Sequence, residues 1–144
     1  MTIDRDVVVV RLALMRDLVA DLEQVGDPDA DQLNRDRLIR HAVERILGQL
    51  VDLAVAINAH LVAGLTGTAP ATYRASFGEL ADAGVIPHEL AQRLAPSAGL
   101  RNILAHEYVA IDLHLVAGAI PGARRDYADY IREVSGALRE REGR

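Results

Sequence analysis

Apolar residues recur at Val8, Leu12, Met15, Val19 and Leu22 with a four-three spacing, which lays one stripe along a helix over 7–23. Gly26-Asp27-Pro28 stops it, and the polar segment 27–36 reads as a loop into the next helix, with Asp31 or Asn34 as its N-cap. A second stripe runs through Ile39, Val43, Ile46, Leu50, Leu53, Ile57 and Leu61, so residues 35–65 are predicted as the longest helix, a spine of roughly eight turns. Gly64-Leu65-Thr66-Gly67 breaks the spine, and Pro70 opens a short helix to about Ala83. Gly84 followed by Val85 fits a left-handed C-terminal cap with its apolar contact, and Pro87 fits the first turn of a helix over 88–107. Tyr73 and Phe77, four apart, are expected to pack over the core edge. Pro96 should kink or restart the 88–107 helix. Asp112 is a cap for the last helix, 113–142, which should be kinked or broken at Ile120-Pro121-Gly122 and carries Tyr127, Ile131, Val134 and Leu138 inward. The charged stretch 139–144 is its frayed end.

Composition narrows the class. A chain of 144 residues has room for one core, so 1–144 is read as a single domain. Half of it is apolar but only 3% is aromatic, so the core must be Leu, Val, Ile and Ala, which favours an all-α antiparallel bundle over a β-sandwich. The absence of Cys excludes disulfides, thiolate metal sites and Cys nucleophiles. Asp4, Arg5 and Asp6 interrupt any signal peptide, and the longest apolar run, Leu50–Leu65, holds Asp52 and His60 and is too short to span a bilayer; a cytoplasmic protein with no membrane partner is expected. The net charge of −5 argues against a general nucleic-acid coating protein, yet leaves room for a local basic cleft.

The chemistry concentrates in Arg101-Asn102-Ile103-Leu104-Ala105-His106-Glu107-Tyr108. On a helical wheel Leu100, Ile103 and Leu104 form the natural core face. Arg101 and Tyr108 share one polar rim, Asn102 and His106 the other, and Ala98 and Ala105 lie between them as the floor of a trough. Such a surface suits a phosphate or the matching helix of a second copy. It also suits an ordinary solvated helix face.

The order Arg, four residues, His, one residue, Tyr, with Asn directly after the Arg, resembles the signature of the HEPN superfamily, and most closely its HepT-type toxins. The likeness extends along the chain. It takes in an N-terminal helix, an Arg-rich long helix with an Asp in its apolar half, the Pro-Ala-Thr-Tyr-Arg-Ala-Ser-Phe segment at 70–77, the octet and a final long helix.

Read as chemistry, the octet can cleave RNA without a metal. A base takes the proton of a ribose 2′-hydroxyl, which attacks the adjacent phosphorus while a cation steadies the phosphoryl oxygens. His106 is the candidate base or acid and Arg101 the candidate cation, with Asn102 orienting the His or bonding a phosphate oxygen and Tyr108 supporting. DNA lacks the 2′-hydroxyl and is inert to this route. The two catalytic residues stand about 140° apart on an ideal helix, so a homodimer that faces two such helices would pool them in one cleft. Asp52 either reaches solvent or pairs with a cation, and the Arg101/His106 site is one candidate for it. Arg37, Arg40 and Arg45 read as a solvated face or as an RNA phosphate track. No cofactor is called for. No metal site is expected, the nearest pairing being His41 with Glu44.

The resemblance implies more: a homodimeric endoribonuclease toxin acting on single-stranded RNA, mRNA or tRNA. It also implies a minimal nucleotidyltransferase (MNT) antitoxin as partner, which silences the toxin by AMP transfer to the motif tyrosine, here Tyr108. The rival is a non-catalytic HEPN module that binds a nucleotide or the nucleotidyltransferase and cleaves nothing.

Overall fold

The computed structural model describes residues 3–106 and 110–143; among them it contains helices and no strand. The first is α1 (Arg5–Val25), capped by the Asp4 side chain and closed at Gly26, and it buries Val8, Leu12, Met15, Val19 and Leu22 as the stripe requires. Burying each of the larger of these side chains is worth about 1.5–3 kcal/mol, which is what holds α1 to the bundle.

The segment expected as a loop contains a further helix, α2 (Ala30–Arg35). Asp29 caps it in a capping box: its carboxylate accepts from the Gln32 amide, while the Gln32 side chain accepts from the Asp29 N–H. Ala30 and Leu33 are its buried residues. Two apolar contacts in six residues are too few to show a period, which is why the pattern hid it. Neither Asp31 nor Asn34 is a cap. Asp36 caps the spine instead, accepting from the Ile39 amide at 3.1 Å, while its own N–H closes α2.

The spine is α3 (Arg37–Thr66), ended by Gly67 at φ +88, where a left-handed backbone favours glycine. It packs against α1, α2, α4 (Tyr73–Asp82), α5 (His88–His106) and α6 (Leu113–Glu142). Its buried set is wider than the single stripe: Leu47, Val51, Ala54, Asn58 and Val62 go inside together with Val43, Ile46, Leu50, Ile57 and Leu61. By length and composition α3 could cross a membrane, so the run judged too short belongs to a helix that is long enough; half of that apolar window is buried against the other helices.

The Gly84 cap forms as expected, with φ +83, the Val85 N–H on the Leu80 carbonyl and Val85 buried. Both prolines sit inside unbroken helices: Pro96 within α5 and Pro121 within α6, so neither helix restarts. Pro96 and Pro121 are exposed, so the backbone carbonyl that each leaves unbonded can turn to water. Asp112 caps α6 as predicted, accepting from His114 N–H.

Aromatic residues gather at one place in the core. Phe77 and Tyr130 meet edge to face with centroids 6.3 Å apart, and Tyr127 meets Tyr130 at the same distance. The Tyr130 hydroxyl donates to Asn58 Oδ1 at 2.6 Å, and Asn58 Nδ2 donates to Ser76 Oγ at 3.0 Å. These groups are buried, so their mutual satisfaction is what makes their burial tolerable. The chain of bonds joins α6, α3 and α4. Tyr73 is not part of this cluster: it is 44% exposed and turned to the outside of α4.

Candidate functional site

The phase of α5 is set by Leu90, Ala91, Leu94 and Ala98, which are buried. Seven residues on from Leu94 and three from Ala98, the same stripe arrives at Arg101. The inward face of the helix therefore ends in a guanidinium, not in the apolar trio of the octet. Ile103, expected inside, is 36% exposed and lies about 180° from Leu94 on the wheel. Leu100 and Leu104 pack at the core's edge. Ala98 is buried in the core, so it is not the open floor of a trough; Ala105 is half-buried.

A charge on the inward face needs a partner, and α3 supplies it. Arg101 Nε donates to Asp52 Oδ1 at 2.8 Å and Nη2 to Oδ2 at 3.5 Å. The Arg101 guanidinium also lies over the Tyr73 ring, 5.5 Å from its centroid. The hydrogen bond to Asp52 is the main cause that raises the guanidinium above its ordinary pKa; partial burial opposes it, and the charge of Asp52 adds to it. Asp52 thus pairs with a cation, and that cation is Arg101.

An open pocket beside this pair is lined by α3 residues His41, Glu44, Arg45, Gly48, Gln49 and Asp52, and by Arg101, Leu104 and Ala105 of α5. Of the three candidate track arginines, Arg45 lines it. Arg40 is turned to Glu44 at 3.7 Å, and Arg37 lines a separate hollow with Arg35 and Leu38 at the start of α3. His41 and Glu44, considered above as a metal pair, face the Arg101 pocket together.

On its other side Arg101 borders an apolar groove of about 400 Å³ between α3, α5 and α6. Leu47, Val51, Leu94, Leu100, Leu115 and Ala119 are among its walls. Two polar pairs line its inner end. Tyr127 and Ser97 hydroxyls are 2.6 Å apart, and Arg93 Nε donates to the buried Asp126 at 3.0 Å. Burial raises the Tyr127 phenol above its ordinary range, so it stays protonated as a donor. Ser97 Oγ is bonded to the Leu94 carbonyl, so Tyr127 donates to it.

Asn102 and His106 are both exposed, and His106 is the last residue of α5. Within one chain the two catalytic candidates are therefore not brought together: Arg101 faces α3, and His106 faces outward from the helix end. Tyr108, the candidate AMP acceptor, lies outside the described residues. The residue that sequence reasoning missed is Tyr73, because nothing in spacing tells that the first turn of α4 reaches Arg101 from 28 positions away.

Comparison with known proteins agrees with this architecture. A tRNA nuclease HepT from Aphanizomenon flos-aquae is 38% identical over 95 residues, covering 66% of this chain and 65% of that relative's length. An mRNA nuclease HepT from Shewanella oneidensis is 26% identical over 130 residues, covering 88% of this chain and 94% of its own. Among solved structures, the tri-AMPylated Shewanella oneidensis HEPN toxin in complex with MNT antitoxin superposes with a TM-score of 0.81. It is 23% identical and covers 92% of this chain and 99% of that one. A cytosolic protein of unknown function from Bacillus subtilis superposes with a TM-score of 0.84 at 17% identity, over 99% of this chain and 95% of that one. At such identities these structures share the fold. The family model for HepT-like ribonucleases matches residues 15–134, and the chain belongs to that family.

Proposed function

We propose that this protein is a metal-independent endoribonuclease, the toxin of a toxin–antitoxin pair, acting on single-stranded RNA. The observation that carries the reading is Arg101. A member of the HepT-like ribonuclease family holds this guanidinium by one edge on Asp52, at the mouth of an open pocket, with donors left over for a phosphate. The names of the relatives support the substrate class, one being a tRNA nuclease and another an mRNA nuclease.

In the proposed step His106 takes the 2′-hydroxyl proton, O2′ attacks phosphorus, and Arg101 neutralises charge on the non-bridging oxygens. The P–O5′ bond breaks, O5′ takes a proton from solvent water while His106 later returns its own proton to solvent, and the products are a 2′,3′-cyclic phosphate and a 5′-hydroxyl. Asn102 is assigned to orient His106 or to bond a phosphate oxygen. Arg45 extends the positive lining for a flanking phosphate.

Because Arg101 and His106 diverge within one chain, the working unit is a homodimer that places His106 of one copy against Arg101 of the other. The surface of α5 and the start of α6 supports a contact of this kind, since Ile103 and Leu115 are exposed there. The partner that silences the enzyme is a nucleotidyltransferase antitoxin, which transfers AMP to Tyr108. The AMPylated toxin among the structural neighbours supports this, and a phosphate added within the same motif as Arg101 would compete with RNA for cationic donors and repel its backbone.

The test is cleavage of single-stranded RNA by partner-free protein in excess chelator. Wild type should yield cyclic-phosphate ends. Arg101→Ala and His106→Ala should each lose about a hundredfold or more in rate. Activity that disappears with chelator sinks the metal-independent step, and full activity in both variants removes the assigned residues. Incubation with the nucleotidyltransferase and ATP should silence wild type but not Tyr108→Phe, with mass spectrometry locating the AMP; AMP found elsewhere overturns that assignment.

A further inference from the structure

We propose that Tyr73 is a positioning residue for Arg101, a role that rests on Arg101 being the phosphate-binding cation. The guanidinium is held from two directions. Asp52 takes its Nε edge at 2.8 Å, with Nη2 at 3.5 Å, and the guanidinium carbon sits over the face of the Tyr73 ring, 5.5 Å from its centroid. A carboxylate alone lets the plane swing about the hydrogen-bond axis, and a ring alone lets it slide. Together they restrict both motions, and they leave the Nη1–Nη2 edge for an oxyanion. A cation that is already oriented needs no reorganisation when charge develops on phosphorus, so its placement acts on the chemical step.

Tyr73 is itself anchored by its backbone. It opens α4 directly after the Thr72 cap, whose hydroxyl accepts from Ala75 N–H at 3.0 Å. The Tyr73 carbonyl accepts from Ser76 Oγ at 2.7 Å, and Ser76 is bonded to the buried Asn58 of α3. The first turn of α4 is thus tied to the spine while the ring is left 44% exposed. Phe77, one turn on, is fully buried, so the core uses that aromatic and leaves this one to the cation.

The experiment is steady-state RNA cleavage by the full, partner-free chain carrying Tyr73→Phe, Tyr73→Leu or Tyr73→Met, beside Arg101→Ala. Tyr73→Phe keeps the ring and should stay within about threefold of wild-type kcat, whereas Tyr73→Leu and Tyr73→Met should lose about tenfold in kcat with little change in KM. Nitrogen-15 NMR adds a readout independent of activity. The Arg101 Nε–H proton, assigned by its loss in Arg101→Lys, should show a ring-current shift in wild type and Tyr73→Phe that is absent in Tyr73→Leu. Unchanged kcat in both aliphatic variants, with Arg101→Ala inactive, overturns the positioning role and leaves the reading of Arg101 standing. Full activity in Arg101→Ala removes that reading and the positioning role with it, whatever the NMR reports. Equal Arg101 signals in all folded variants also overturn it.

Discussion

Asp52 and Arg101 are 45% and 29% exposed along their side chains, and water therefore screens much of their attraction. An ion pair of that exposure adds at most about 1 kcal/mol to stability, so on the proposed function its use is to aim the guanidinium. Asp52→Asn should accordingly leave urea unfolding within about 1 kcal/mol of wild type. RNA cleavage should fall about tenfold, since a neutral amide holds Arg101 less firmly. A loss of stability matching the loss of rate would make Asp52 a structural residue only. The identities of these groups were legible from the octet and from an Asp inside an apolar run, but their directions were not. A window of eight residues set the core face at Ile103, whereas Leu90, Leu94 and Ala98 set it at Arg101. Phase is a property of the whole helix, and the octet is only its end. Tyr73 was hidden for a different reason: the contact joins α4 to α5 through space, and an exposed aromatic leaves no periodic trace.

Among the elements, α1, α3 and the caps at Gly67, Gly84 and Asp112 could be read from the chain, because long stripes and glycine turns carry local signals. The short α2 could not, and although the extents of α5 and α6 were legible, their continuity was not, since packing, not propensity, decides whether a helix passes through Pro96 or Pro121. What joins α3, α4 and α6 is the buried bond series through Tyr130, Asn58 and Ser76. Removing the donor with Tyr130→Phe leaves Asn58 Oδ1 buried without it, at a cost of about 1–3 kcal/mol at pH 7. Burial also raises the Tyr130 phenol well above its ordinary range. The unfolded chain releases this proton near pH 10 and the folded chain retains it, so stability is full below about pH 10 and declines as pH rises beyond it. Each such group contributes a slope of about 1.4 kcal/mol per pH unit there. Urea unfolding at pH 7, 10 and 11 should show Tyr130→Phe less stable at neutrality but with a shallower alkaline decline. An unaltered slope would mean that the phenol is not shielded.

For the molecule as a whole, the decisive feature is that the inward face of α5 carries Arg101 while His106 stands exposed at its end. One chain thus presents the two groups to different surroundings, and a second copy is the simplest way to rejoin them. This makes a prediction that neither variant alone can test. Arg101→Ala retains His106, and His106→Ala retains Arg101, so a mixed dimer holds one intact pair, drawn from different chains. Mixing the two inactive variants, with time for subunits to exchange, should restore cleavage. Random pairing makes about half of the dimers mixed, so recovery should approach a quarter to a half of wild-type rate if one intact pair per cleft suffices. The double variant Arg101→Ala/His106→Ala mixed with an equal amount of wild type should show no activity beyond that of the wild-type homodimers, about a quarter of the dimers. Its mixed dimers offer both groups only from the same chain, the arrangement in which they diverge. Recovery in the first mixture with none in the second requires the pair to act across the interface. Excess activity in the second mixture with none in the first would place the chemistry within one chain, and the dimer would then be a scaffold for it.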